Sequence, residues 1–231
     1  MMSQIVTTGV VLSRTDFQEA DRIITVLTPD HGKIRLIAKG VRKVKSKLAG
    51  GIELFSISEF TYITGKAEIG TLISSRLKVH YGKIVTDVDR TMLGYEFLKR
   101  TNKVTEDAAG AEYFDLLAAS LSALDDVNLP INIVEFWFTM QLLNISGHAP
   151  NLRVDGAGNK LENDQTYDFE YEAMAFAPDP NGMFLANHIK LLSLGIRANQ
   201  PAIIAKVQGV TGLLPDLLVL AKTVLGRSVR I

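Results

Sequence analysis

The chain has 231 residues, with 25 Lys and Arg against 25 Asp and Glu and no cysteine. Its formal charge is therefore zero, and neither a disulfide framework nor a thiolate metal site can form. Hydrophobic content of 47% and charged content of 22% exclude a disordered or low-complexity chain. No apolar run nears the roughly 20 residues of a membrane span, and the N-terminal MMSQIVTTGVVLSRTDF lacks the order of a signal peptide, so the compartment expected is the cytosol.

The first third reads as strands. Residues 5–12 and 22–28 are rich in β-branched side chains, and Pro29-Asp30-His31-Gly32 is a turn signal. Residues 33–39 alternate. Ile34, Leu36 and Ala38 share one face; Lys33, Arg35, Ile37 and Lys39 share the other. A glycine-flanked basic loop follows, then strands at residues 56–64 and 69–76 joined at Gly65-Lys66. Five short strands with one cationic loop predict a small OB-like barrel, though other five-stranded barrels fit the same pattern.

Residues 33–47 are the most informative stretch. They carry seven cations (Lys33, Arg35, Lys39, Arg42, Lys43, Lys45 and Lys47) and no acidic residue. Such a cluster repels itself unless solvent or a polyanion spreads the charge, and a phosphate backbone is the expected partner. The zero net charge conceals this. Residues 1–80 hold 12 basic against 7 acidic side chains, a net of +5; residues 81–231 hold 13 against 18, a net of −5. The basic half should take nucleic acid and the acidic half should repel it. Phe60 and Tyr62 lie two apart on one strand face, as a base-stacking platform or as barrel core.

From about residue 80 the chain reads as helices. Residues 86–100 place Val88, Met92 and Leu93 on one face; residues 111–124 place Phe114, Leu117, Ala118 and Leu121 at helical spacing. Asn128 offers an N-cap to a helix with Pro130 in its first turn, running to about Ile145. In that helix Phe136, Trp137 and Phe138 are consecutive and cannot all face one core, since each step turns about 100°. Residues 150–185 break the pattern with Gly and Pro and read as an inserted hairpin or meander carrying Tyr167, Phe169 and Tyr171. Helices resume at 187–194, 201–208 and 214–225. The fold class expected is α+β: an OB barrel over residues 1–79, then a mainly helical domain over 80–231 with a small hairpin insertion.

Catalytic and metal signals are absent from the sequence. His31, His80, His148 and His188 have no ligand spacing. Gly65-Lys66 lacks the upstream glycine and the Ser/Thr of a P-loop, and no Ser/His/Asp order or GxSxG elbow occurs. No catalytic residue, metal or cofactor is expected. An RNA- or ribosome-binding OB protein, or an enzyme with its site in the 150–185 insertion, are the rival readings.

Several blocks, in order, resemble the RecO family of DNA repair and recombination mediators: TTGVVLSRTDFQEADRIITVLTPDHGKI at 7–34, AKGVRKVKSKLAGGIELFSISEF at 38–60, EIGTLISSRL at 68–77, SGHAPNL at 146–152 and LGRSVRI at 225–231. Members often carry a four-cysteine zinc site after the APNL-like block; here RVDGAGNKLEND and APDPNGMFLANHIK stand there without cysteine. The resemblance implies an OB domain, a helical domain and no catalysis. It implies binding to single- and double-stranded DNA, strand annealing, association with RecR, contact with the C-terminal tail of single-strand-binding protein, and indirect help to RecA. It also implies a bacterial, nucleoid-associated cytoplasmic protein. The acidic, apolar tail would need an apolar slot rimmed by cations, for which Lys190, Arg197 and Lys206 are the candidates, with Lys222, Arg227 and Arg230 nearby in sequence.

Overall fold

The computed structural model describes residues 3–64, 68–106 and 109–228, so the Gly65-Lys66 junction and Arg230 lie outside the described residues. The chain forms two compact units, residues 1–126 and 127–231.

The first unit is built on a closed barrel of β1 (Ser3–Phe17), β2 (Asp21–Thr28), β3 (Gly32–Ala38), β4 (Ser56–Thr64) and β5 (Gly70–His80), in the order β1-β2-β3-β5-β4, compatible with an OB barrel. β1 is longer than its apolar run because it serves two partners. Its N-terminal half pairs with β4 and its C-terminal half with β2, with a register shift between Val11 and Ser13 that bends it. A parallel contact, Leu36 with Gly70 and Ile37 with Thr71, closes the barrel. Gly70 lets the two strands approach closely: a Cβ there would stand 2.9 Å from Leu36 Cδ2 and 3.2 Å from the Ile63 carbonyl, so both neighbours would have to shift. Val11, Ile24, Val26, Leu36, Phe60 and Leu72 fill the interior, as inward side chains fill any barrel this narrow.

Helices α1 (Val88–Val104) and α2 (Ala111–Asp125) pack on β1 and β2 within the same unit. Composition divides the chain at 79/80, where strands give way to helices; this compact unit runs on to Asp126. The buried face of α1 is Arg90, Leu93, Gly94, Phe97, Leu98 and Thr101. Of the expected stripe only Leu93 is right, since Val88 and Met92 are 78% and 62% exposed. The face is set by Phe97 and by Arg90, whose guanidinium donates to the Leu124 and Asp126 carbonyls at 2.7 and 3.1 Å. In α2, Leu117 and Leu121 are buried as spaced, with Leu116, Ser120 and Leu124 beside them.

The second unit centres on α3 (Ile131–Ile145). Pro130, not Asn128, occupies its N-cap position, and no side chain caps there. Phe136, Trp137 and Phe138 are all buried. α3 is packed against α4 (Ala186–Arg197), α5 (Pro201–Ala205) and α6 (Val210–Ser228), and cover from three elements buries all three successive aromatics. Trp137 Nε1 donates to the Ala198 carbonyl at 2.8 Å. The insertion is a three-stranded sheet in the order β7-β6-β8, with β6 Thr166–Glu170, β7 Ala175–Pro178 and β8 Phe184–Leu185. Tyr167 and Phe169 are buried; Tyr171 follows β6 and meets the Phe169 ring edge-on at 5.1 Å. Phe176 continues the cluster between Phe169 and Phe184.

Candidate nucleic-acid interface

Strand alternation sorts the first cations. Leu36 and Ala38 point into the barrel, which leaves Arg35 exposed on the outer side and Lys33 half-buried there. Lys33 is committed to an internal contact: its ammonium donates to the carbonyls of Asn102 and Thr105 at the C-terminal end of α1, where a cation complements both orphan carbonyls and the helix dipole.

The loop after β3 is pinned at both ends. Gly40, at φ +64°, turns the chain away from the strand, and its N–H donates to Asp21 at 2.7 Å. Val41 is only 4% exposed and plugs into the barrel core. The Arg42 N–H donates to the Ala20 carbonyl. At the far end Ser75 Oγ donates to the Leu48 carbonyl, and Ile52 is buried. Two turns lie between, closed by Lys43 N–H to the Gly40 carbonyl and Ser46 N–H to the Lys43 carbonyl. They leave Arg42, Lys43, Val44, Lys45 and Lys47 exposed. Anchored ends and solvated cations make a fixed ribbon, not a loose tail.

Its charge is only partly used internally. Arg42 lies 3.5 Å from Asp16, which Arg22 binds more closely at 2.7 Å. The Asp16 carboxyl is held below its ordinary range, chiefly by the Arg22 hydrogen bond and further by the charge of Arg42. Arg35, Lys39, Lys43, Lys45 and Lys47 have no ion-pair partner among the described residues. Beside the strand opens a polar cavity of about 470 Å³ lined by Thr25, His31, Lys33, Arg35, Thr64 and Asn102, within the size range of small-ligand sites. Arg22 and Asp16 were not legible as neighbours of the ribbon, because they reach it through the β1–β2 hairpin, not through the linear run.

Phe60 and Tyr62 are 0% and 3% exposed. They are barrel core, which removes them as a stacking platform. Burial, with Asp30 adding, pushes the Tyr62 hydroxyl pKa up. Among the described residues no group of three or more His, Cys, Asp or Glu side chains converges, and no helix is long and apolar enough to cross a membrane.

The helical cations do not share one slot. Lys190 borders a cavity of about 270 Å³ with Leu191, Leu194, Val207 and Leu213. Arg197 lines a separate one of about 280 Å³ with Pro150, Leu152 and Arg153. Lys206 is exposed at the end of α5 and lines neither. Lys222 pairs with Glu135 at 2.8 Å, and Arg227 lies over the Tyr171 ring at 4.1 Å. Arg153 was missed in the sequence because it stands apart from the other C-terminal cations.

Comparison with known proteins gives two matches to one family. The model for the recombination protein O N terminal matches residues 2–79, and that for the recombination protein O C terminal matches residues 96–195. The DNA repair protein RecO of Dehalococcoides mccartyi (strain CBDB1) is 35% identical over 148 residues, covering 64% of this chain and 58% of the relative. That of Moorella thermoacetica is 32% identical over 145 residues, covering 62% and 53%. That of Streptomyces avermitilis is 32% identical over 151 residues, covering 62% and 61%. The chain thus spans between 51 and 61% of the length of such relatives.

Proposed function

The chain belongs to the recombination protein O family, and from that premise we propose that it is a non-enzymatic DNA-binding mediator of repair and recombination. It binds single- and double-stranded DNA through the ribbon of residues 33–47, anneals complementary strands and, with RecR, helps RecA onto DNA coated by single-strand-binding protein. The observation that carries the DNA reading is the ribbon itself: a turn-built loop pinned at Val41 and Ile52 that presents Arg42, Lys43, Lys45 and Lys47 to solvent beside Arg35 and Lys39. Main-chain pinning means the cations need little ordering when phosphate binds, and their fan across a loop and a strand suits a backbone rather than a base edge. Sequence preference is therefore weak.

For the tail of single-strand-binding protein, Lys190 is the better supported of the three helical candidates, because it alone borders an apolar cavity of leucines. Arg197 with Arg153 is the second choice.

Titration of labelled single-stranded DNA at several salt concentrations tests the proposal. About four phosphate contacts give a log–log salt slope near −3 for a single strand. Arg42→Ala, Lys43→Ala and Lys45→Ala together should flatten it by about 2. Unchanged affinity and slope in that triple variant, or preference for structured RNA in competition, refutes it. Adding RecR, and separately the tail peptide with Lys190→Ala as control, tests the partners.

A further inference from the structure

The second unit carries a surface of the opposite character. Residues 162–179 hold six carboxylates at or near the surface (Glu162, Asp164, Asp168, Glu170, Glu172 and Asp179) and no cation. Within this unit a cavity of about 290 Å³ opens between the insertion sheet and α6. Its floor is apolar, made by Phe169, Phe184 and Leu220, which are 9%, 5% and 3% exposed. Met183 and Val219 stand at its edge, 57% and 67% exposed. Asp168 and Asp216 line the same opening and are exposed to solvent. Apolar floor, apolar lip and two rim carboxylates select an apolar side chain flanked by cations. The two rim carboxylates disfavour a phosphate backbone and an acidic peptide, while the Arg227 guanidinium is held over the ring of Tyr171, which also lines the cavity.

A segment of that chemistry exists in the chain. At the tip of the basic loop, Val44 is fully exposed between Lys43 and Lys45. The turn closed by Ser46 N–H on the Lys43 carbonyl puts Val44 and Lys45 at its two corners. Neither lysine has an ion-pair partner among the described residues. A β-branched apolar residue gains nothing at a turn corner in water, and here it is presented in the geometry that a small apolar cavity accepts.

We propose that the cavity lined by Asp168, Phe184, Asp216 and Val219 is a docking site for the Lys43-Val44-Lys45 loop tip of a second copy of this chain. Val44 enters the cavity, and the flanking ammonium groups meet Asp168 and Asp216. The contact is heterologous, loop to cavity, so each copy keeps one free loop and one free cavity, and association is head-to-tail. It is built on rim charges around one small apolar plug, which makes it weak and strongly screened by salt. The inference does not depend on the DNA reading, and its test contains no DNA.

Sedimentation equilibrium of the full chain from about 1 μM to about 100 μM, at about 50 mM and about 500 mM salt, reads the association. The expected result is a weight-average mass that rises with concentration at low salt and falls to the monomer at high salt. Two variants then separate the halves of the contact. The cavity variant carries Asp168→Asn and Asp216→Asn, isosteric changes that leave the acceptor to the Met183 N–H in place. The loop variant carries Lys43→Gln, Val44→Ser and Lys45→Gln, all at exposed positions. Each alone should remain monomeric. Mixed, they should form a one-to-one pair and nothing larger, because the mixture holds one intact loop and one intact cavity per pair. A wild type that is monomeric throughout at low salt, association that either variant retains, or a mixture that stays monomeric each overturns the proposal.

Discussion

Lys33 and Lys43 are both cations of the basic stretch, yet they sit in different surroundings, and exchanging each for methionine should separate an internal role from a DNA-binding one. The Lys33 ammonium donates to the Asn102 and Thr105 carbonyls, while Lys43 projects from the loop without an ion-pair partner among the described residues. Methionine keeps an apolar stem of similar length, so the charge and the hydrogen bonds are what is lost. A hydrogen bond to a charged group contributes about 1.5–3 kcal/mol net, and a cation at a helix C-terminus about 0.3–1 kcal/mol. Because Lys33 is only half-buried, water recovers part of this, and about 2 kcal/mol is the expected loss in Lys33→Met. Lys43→Met should shift stability by no more than about 0.5 kcal/mol. DNA binding should behave in reverse. Lys43→Met removes one counterion-releasing contact and flattens the single-strand salt slope by about 0.7, and Lys33→Met leaves that slope unchanged. Urea midpoints by circular dichroism and anisotropy titrations at four salt concentrations measure both. If Lys33→Met flattens the slope and leaves the urea midpoint alone, Lys33 is a phosphate ligand and the assignment of its ammonium to the α1 terminus is wrong.

Phe60→Leu should cost about 1–2 kcal/mol through lost packing in the barrel, and Tyr62→Leu should leave the single-strand affinity of the folded protein unchanged; a tenfold loss of affinity in Tyr62→Leu without unfolding would restore the stacking role. His188 is buried, and that burial, opposed in part by Asp216, holds its pKa below the ordinary 6.5. Its neutral form is the one the fold accepts, so its contribution is complete above pH 6.5 and declines as pH falls below that value, where the unfolded chain takes up a proton the folded chain refuses. His188→Gln keeps an acceptor for the Leu185 N–H now bound by Nδ1, and should flatten the stability profile as pH falls below 6.5, as read by urea midpoints. The insertion is held by the Phe169–Phe176–Phe184 cluster and by Asp155, whose carboxylate accepts the Ala157 and Asn159 N–H groups. Metal chelation should therefore leave the melting curve unchanged, whereas Phe176→Ala should cost about 3–5 kcal/mol; a chelator-dependent drop in melting temperature, or stoichiometric zinc by elemental analysis, would reverse this.

The barrel was legible because its signals are local. Alternation at residues 33–39, the Pro29–Gly32 turn and β-branched runs each report on a few neighbours, and β4 occupies the expected 56–64 span. β1 was read short because its polar second half pairs only with β2, past a bulge that no local pattern announces. The face of α1 was misread for a related reason. A buried Arg90 is tolerable only because the Leu124 and Asp126 carbonyls receive it, and these arrive from the end of another helix. In α3 the apolar residues run all round, so periodicity carried no direction and only tertiary neighbours decide what each aromatic touches.

Charge shows where linear counting misleads about the site. The −5 of residues 81–231 suggests an acidic helical body that excludes DNA, but it is unevenly held. Residues 81–126 carry five basic against nine acidic side chains, and residues 127–231 carry eight against nine. Most of the negative charge therefore belongs to the α1–α2 region, inside the same compact unit as the basic ribbon. That unit is nearly neutral in sum and polarised in distribution. A unit of nearly zero net charge gains little long-range attraction to a polyanion, since its basic and acidic side chains cancel beyond a Debye length of about 8–10 Å. At contact distance the field is dominated by whichever face is presented, so binding favours orientation over capture. It follows that neutralising acids on α1 and α2, such as Asp89→Asn with Asp115→Asn, should raise the association rate for single-stranded DNA at low salt and leave dissociation unaltered. Stopped-flow anisotropy separates the two rates, and an unchanged association rate would mean that the acidic region does not oppose the approach of DNA.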